Sequence, residues 1–312
     1  MNDEMRRIDD ELNQDSEASK LDFPIMEILI VIALVIILGM AGSLIAKTLA
    51  ESNGSNLSNL LSSLHENNSF HQRNMVRYVN LIVHLMSFTI PCLLLAFYMR
   101  KKAWAQYLSL NSPPKSTIVF LSFWLILLSL PFINTIYWVN MQIPLPEWAN
   151  TMEVNANEMI NALLTMEGPS ELLLNLVIIA LVPALGEELL FRGVFQQTLY
   201  KIFRSKYTAI WVTAFLFSAM HLQFEGFIPR FLLGALLGYL FLWTKNLWIP
   251  IIAHFFFNGV QVAAKYFASD LIESTGAGEV ADPNIGFGLL SLVLTIVLAK
   301  YIRQKAYESS VL

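Results

Sequence analysis

An all-α, polytopic membrane helical bundle with about eight transmembrane helices is the fold class this sequence predicts, and three observations predict it. Of 312 residues, 55% are hydrophobic and only 14% are Asp, Glu, Lys or Arg, against roughly 45–50% and about 25% in average globular chains. The apolar residues gather in long blocks rather than in the spaced stripe of an amphipathic helix, which leaves no second face for water. The Lys and Arg residues return in alternate loops between those blocks. The net charge is −4 and no basic patch stands out, so a nucleic-acid partner has nothing to rest on. Cys92 is the one cysteine, inside an apolar block, which excludes an intrachain disulfide framework and a thiolate metal cluster.

The elements follow in order. Residues 1–22 are polar and acidic-leaning and read as a cytoplasmic tail; the block from Phe23 to about Ala46 is long enough to span a bilayer and lacks a signal peptide's short apolar stretch and cleavage site. It reads as a retained helix. Further blocks at 76–99, 116–139, 171–191, 208–222, 227–244, 247–267 and 285–302 complete the count. Residues 23–140 therefore form N-terminal transmembrane helices with no assigned role, and 141–169 an acidic external segment. Residues 170–268 form the core in which ionisable groups cluster, and 269–312 an external loop, a final span and a basic cytoplasmic tail. Segment 144–167, with Pro144, Pro146, Trp148, Met152 and Met159 among polar residues, is either an interfacial helix or an ordinary outside loop.

Loop charge sets the expected orientation, because Lys and Arg are retained on the cytoplasmic side. Basic residues precede the first span (Arg6, Arg7, Lys20), separate the second and third (Arg100, Lys101, Lys102, Lys115), follow the fourth (Lys201, Arg204, Lys206) and follow the eighth (Lys300, Arg303, Lys305). Segments 140–170 and 269–284 carry Glu and Asp without one Lys or Arg. Both termini are thus expected inside a plasma (inner) membrane. The Asn/Ser-rich stretch 51–75 reads as an external loop, with Arg73 and Arg77 near its end as exceptions.

Ionisable groups inside apolar spans cost roughly 2.5–3.5 kcal/mol each on insertion scales, and the second half of the chain has several. Span four carries Glu187, Glu188 and Arg192, span five ends at His221, and span seven carries His254 and Asn258. Glu188 and Arg192 lie four residues apart on one helical face and can pair, as can His254 and Asn258. At roughly 1.5 Å per residue, Glu187, His221 and His254 lie about 21, 22 and 14 Å along the chain from the basic residues Lys201, Lys206 and Lys245, so one shared level is permitted. Such a set can cut an amide bond. A carboxylate can act as general base to water, while imidazole and amide groups orient that water or stabilise an oxyanion. Other routes lack their residues: there is no Gly-x-Ser-x-Gly elbow and no Gly-Asp pair, and His65-Glu66 meets Ser69 where a second zincin histidine would stand.

The pattern Glu187-Glu188-x-x-x-Arg192, Phe217-x-x-x-His221, His254-x-x-x-Asn258 resembles the three motifs of the CAAX-protease and bacteriocin-processing (CPBP) family of intramembrane proteases, which includes the type II CAAX prenyl endopeptidases. The resemblance covers about residues 170–260 and all three motifs in order; residues 1–140 match nothing in it. It implies an endopeptidase acting on a membrane-associated, in some members prenylated, protein or peptide, with the bilayer as its setting. By that analogy Glu187 activates water with His221, His254 and Asn258 stabilise the oxyanion, and Glu188 and Arg192 support them. Members are commonly called metalloproteases. Glu187, His221 and His254 are the ligands of a divalent ion such as Zn²⁺ if one is needed, and a metal-free, glutamate-based route uses the same residues.

Blander readings stand beside these. Glu188 and Arg192 also fit a structural ion pair. His84, alone in span two, reads as a hydrogen-bonded structural histidine; Glu225 and Arg230 read as solvated or mutually paired near the outer interface. Gly234-x-x-x-Gly238 reads as a helix-packing face, Trp138, Trp243 and Trp248 as interface anchors, and Phe255 to Phe257 as packing. Two other functions remain open on sequence alone: a proton-coupled transporter using the buried relay, and a catalytically silent membrane scaffold. The absence of a visible internal repeat weighs against the transporter.

Overall fold

The apolar blocks become helices because only intrahelical bonding satisfies the backbone where no water reaches. The computed structural model describes residues 23–62, 64–65, 67–274 and 283–311; the expected tail at 1–22 and the middle of the acidic loop at 269–284 lie outside them. Among the described residues there is no strand. The helices are α1 (Pro24–Ser52), a short α2 (Leu57–Ser62), α3 (Phe70–Tyr107), α4 (Ser116–Met141), α5 (Glu147–Leu164), α6 (Pro169–Phe203), α7 (Lys206–Ala219), α8 (Phe227–Thr244), α9 (Trp248–Ser274) and α10 (Ile285–Val311). The protein is an all-α multi-pass bundle, with a helix for each of the eight expected blocks. Six of these, α1, α3, α4, α6, α8 and α10, are long and apolar enough to cross a membrane. The other two depart for different reasons: α7 is only 14 residues long, and α9 interrupts its apolar run with His254, Asn258 and Gln261. α9 also extends to Ser274, into the segment expected as loop. Segment 144–167 contains a true helix, α5, rather than irregular chain.

Local sequence explains where the helices start and bend. Ser69 accepts the Gln72 backbone N–H while Gln72 reaches back to the Ser69 N–H at 3.0 Å, a capping box that starts α3. Proline has no N–H to continue the ladder, and α3 and α6 each widen into a π turn just ahead of one: Leu85–Thr89 before Pro91, and Leu176–Leu181 before Pro183. In α4, Pro131 opens the ladder between Leu128 and Phe132. Ser291 of α10 fills the gap, its hydroxyl donating to the Leu128 carbonyl and accepting the Phe132 N–H at 3.1 Å.

α6 runs through the middle. One apolar core joins Leu189, Leu190, Phe191 and Val194 of α6 to Val31 of α1, Cys92 and Leu95 of α3, Phe217 of α7 and Ile251 of α9. A second joins α4, α8, α9 and α10 through Leu125, Leu237, Ala253 and Ile302. Outward faces stay apolar: Ile37, Met40 and Leu44 of α1 and Leu289, Val293 and Val297 of α10 are exposed, as lipid contact requires.

Two buried ion knots pin the N-terminal helices to α6. Near one end, Glu27 of α1 receives the Tyr107 hydroxyl at 3.0 Å, the Thr198 hydroxyl at 3.1 Å and the Lys201 ammonium at 2.9 Å. Near the other, Arg77 of α3 donates to Glu171, to the Leu163 carbonyl at 2.8 Å and to the Thr165 carbonyl at 2.6 Å, while Arg73 donates to Glu167 at 2.5 Å. Arg73 and Arg77, the two exceptions in the loop-charge pattern, are thus neutralised, by Glu167 of the acidic segment and by Glu171 at the start of α6.

Candidate active site

The site grows from one turn of α6. Consecutive Glu187 and Glu188 point to different neighbours because successive residues of a helix are turned by about 100°. Glu188 and Arg192 are both fully buried, and the Arg192 guanidinium donates to Glu188 Oε1 at 2.5 Å, the pair expected from their spacing. Its other amino group donates to the Gly234 carbonyl of α8 at 2.6 Å. Gln196, one turn on, donates to the Gly238 carbonyl at 3.0 Å. The Gly234-x-x-x-Gly238 face is what permits this. A Cβ on Gly234 would meet Phe217 at 3.1 Å and Ala214 at 3.3 Å, both of α7, and one on Gly238 would meet the Gln196 side-chain oxygen of α6 at 3.0 Å, so the two glycines let α8 lie close against both helices.

His254 of α9 joins the same pair. Its Nδ1–H donates to Glu188 Oε1 at 2.9 Å, which leaves Nε2 facing Glu187, 3.9 Å from Oε2. Glu188 therefore sits between a guanidinium and an imidazole and fixes which ring nitrogen faces the neighbouring glutamate. Phe217 of α7 is the common wall. Its ring lies 4.9 Å from the Arg192 guanidinium carbon, 5.2 Å from the His221 ring and 5.8 Å from the His254 ring. Its carbonyl accepts His221 Nδ1–H at 2.8 Å, which leaves His221 Nε2 for the site.

The other oxygen of Glu187 is held by a residue the sequence reading set aside. His84, at the end of the first segment of α3, places Nε2 3.3 Å from Glu187 Oε1. Its ring stacks on Phe88 at 4.4 Å, and its buried Nδ1 has no hydrogen-bond partner among the described residues. Gly186 makes this approach possible: a Cβ there would meet Phe88 at 2.8 Å, Thr89 at 2.9 Å and the His84 ring at 3.0 Å. His84 is hydrogen-bonded, as read from the sequence, and its partner is Glu187, whose side chain is only 10% exposed.

The structure brings Glu187, Glu188, Arg192, His254 and His84 into one bonded group. His221 joins through the Phe217 ring and carbonyl, and Asn258 lies one turn beyond His254, its amide 3.5 Å from the Ile179 carbonyl in the first π turn of α6. Neither His221 nor Asn258 bonds Glu187 directly among the described residues. No group of three or more His, Cys, Asp or Glu among them is placed to hold a metal ion. Nδ1 of His254 is taken by Glu188 and Nδ1 of His221 by the Phe217 carbonyl, which leaves Nε2 of both rings, the nitrogen a metal would use if one bound.

The segment after His221 is held from above. Leu222 takes φ +52°, turning the chain sharply. Glu153 of α5 accepts the Phe224 and Glu225 backbone N–H groups, Asn140 of α4 donates to both carbonyls at 2.6 Å, and Trp148 packs edge-on against Phe224 at 5.4 Å. Arg230 donates to Gln223 rather than to Glu225, so of the two alternatives, solvated or mutually paired, the mutual pair does not form. Glu225 instead takes the Tyr137 hydroxyl at 3.5 Å. Partial burial, with Glu153 close by, raises the Glu225 carboxyl pKa above its usual range.

Comparison with known proteins follows the same boundaries. Residues 169–260 match the family model described as Type II CAAX prenyl endopeptidase Rce1-like, upholding the resemblance read from the three motifs. A curated relative, the uncharacterized protein YpbD of Bacillus subtilis (strain 168), is 31% identical over 90 residues, 28% of this chain and 43% of that protein. The chain therefore covers less than half the length of that relative. No solved structure matches.

Proposed function

We propose that this chain, similar over residues 169–260 to type II CAAX prenyl endopeptidases, is an intramembrane endopeptidase of glutamate-based chemistry that cleaves a membrane-associated protein or peptide. One observation carries the reading: Glu187, its side chain 10% exposed, lies between His84 at 3.3 Å and His254 at 3.9 Å, with His254 buttressed by a second glutamate. Glu187 takes a proton from a water as that water's oxygen adds to the scissile carbonyl carbon. His221 Nε2 orients the water. His254 and the Asn258 amide donate to the resulting oxyanion. For His254 this requires protons on both ring nitrogens, one held by Glu188 and the other facing the substrate. Glu187 then returns its proton to the leaving nitrogen as the C–N bond breaks. Glu188 and Arg192 position His254 and hold α6 against α8, and His84 fixes the orientation of the Glu187 carboxylate.

The bilayer supplies the setting, and the loop charges support both termini on the cytoplasmic side of the plasma membrane. That orientation is helped by the burial of Arg73 and Arg77 in pairs with Glu167 and Glu171, which removes them as free charges. The test is cleavage of a pooled library of prenylated and unmodified peptides by the purified protein. The wild type is expected to cleave with or without chelators, and Glu187→Ala to fold yet not cleave. Loss of wild-type cleavage on chelation would instead make a metal part of the machinery.

A further inference from the structure

At the end of the bundle away from the 220–226 loop, α4, α7, α8 and α10 enclose a half-open groove of about 1130 Å³. Lys115, Lys206, Lys245, Lys300 and Arg303 line it, all five exposed. Lys206, Lys245, Lys300 and Arg303 have no ion-pair partner among the described residues. Among the described residues the one carboxylate on the rim, Glu308, is already bonded by Lys305 at 3.0 Å and by Gln304 at 3.0 Å. Local helix electrostatics favour Lys245, which caps the C-terminus of α8, but not Lys115, which caps the N-terminus of α4, or Lys206, which opens α7, because a cation at a helix N-terminus opposes the macrodipole.

The groove is amphipathic along its depth. Beneath the cations its wall is Ile118, Leu242, Trp243 and Ile249, and the buried Asn246 amide crosses its floor to the Ser112 carbonyl at 2.9 Å. The cations stand where the apolar runs of α4, α8 and α10 end. A retained excess of Lys and Arg explains basic loops; it does not explain four cations without ion-pair partners among the described residues converging from the ends of α7, α8 and α10 around a cavity with an apolar inner wall. Basic pockets of this form between transmembrane helices suit anionic lipid headgroups. A soluble anion would use the cations and leave the apolar wall idle.

We propose that this groove binds an anionic phospholipid. Its phosphate and headgroup charge meet Lys206, Lys245, Lys300 and Arg303, while its glycerol and upper acyl chain run along Leu242 and Trp243. The site is separate from the Glu187 centre and stands or falls independently of it. The test uses full-length protein in mild detergent, stripped of lipid, with lipid binding followed by native mass spectrometry and by the thermal midpoint. Phosphatidylglycerol is expected to bind and raise the midpoint, while phosphatidylcholine and inorganic phosphate do neither. Single K300Q and R303Q variants are expected to weaken phosphatidylglycerol by roughly fivefold each, and K206Q/K245Q/K300Q/R303Q together by several hundredfold. K101Q/K102Q, outside the groove, is expected to bind as the wild type does. Unchanged binding in the quadruple variant, equal loss in K101Q/K102Q, or an equal effect of inorganic phosphate would overturn the proposal. So would retention of an acidic protein segment in place of lipid.

Discussion

At the residue scale the account turns on how two adjacent glutamates are given different partners. Glu188 and Arg192 are buried charges whose value lies in each other. Removing one partner of such a pair costs about 3–5 kcal/mol, and Arg192→Met is expected to lose stability of that order in a reversible detergent unfolding assay, with Glu188→Gln/Arg192→Met costing less than the sum of the single changes. His84 makes a different prediction. Its ring nitrogens bond Glu187 alone among the described residues, and its ring stacks on Phe88, so His84→Ala should lower the unfolding midpoint through the lost packing and, in the protein that remains folded, lower kcat by about 10-fold to 100-fold, as misplaced catalytic groups do. His84→Gln, which keeps a donor, should recover part of the rate with little change in KM. The sequence announced Glu188–Arg192 through its spacing but not His84, whose partner is 103 residues away. A lone histidine in an apolar span has no neighbour to give it meaning. The depth arithmetic applied to the other groups would have flagged it, since His84 lies about 24 Å along the helix from Arg100 at roughly 1.5 Å per residue.

At the scale of elements, the helices were legible because apolar run length sets them, whereas their interruptions were not. The π turns before Pro91 and Pro183 follow from proline's missing N–H. The long one at Leu189–Gln196 has no such local cause and coincides with the site, where π-bulges are often found. α5 was readable only as one of two alternatives, because its apolar residues are sparse and its anchor, Glu153, binds backbone N–H groups 71 and 72 residues away. That clamp carries a pH prediction. Glu225 has a raised folded pKa from burial and from Glu153, so the folded state holds its proton more tightly than the unfolded chain does. Its contribution to stability is full below the unfolded value and is lost as pH rises through the folded one. Glu225→Gln should therefore raise the thermal midpoint above that window and leave it unchanged below, in melts recorded across pH.

At the scale of the whole molecule, the three motif helices alone do not complete the site. α3 supplies His84, and α1 and α3 are tied to α6 by the Glu27 and Arg77 knots at its two ends. The N-terminal spans had no assigned role in the sequence because these ties are single buried residues with distant partners. The central claim is that Glu187 is the general base, and the kcat of Glu187→Gln on a peptide the wild type cleaves tests it most directly. The amide keeps the side-chain shape and its contact with His84 but gives up the basic oxygen. The account predicts a fall in kcat of about 10²- to 10⁴-fold with KM little changed. A rate within a few-fold of wild type would contradict it.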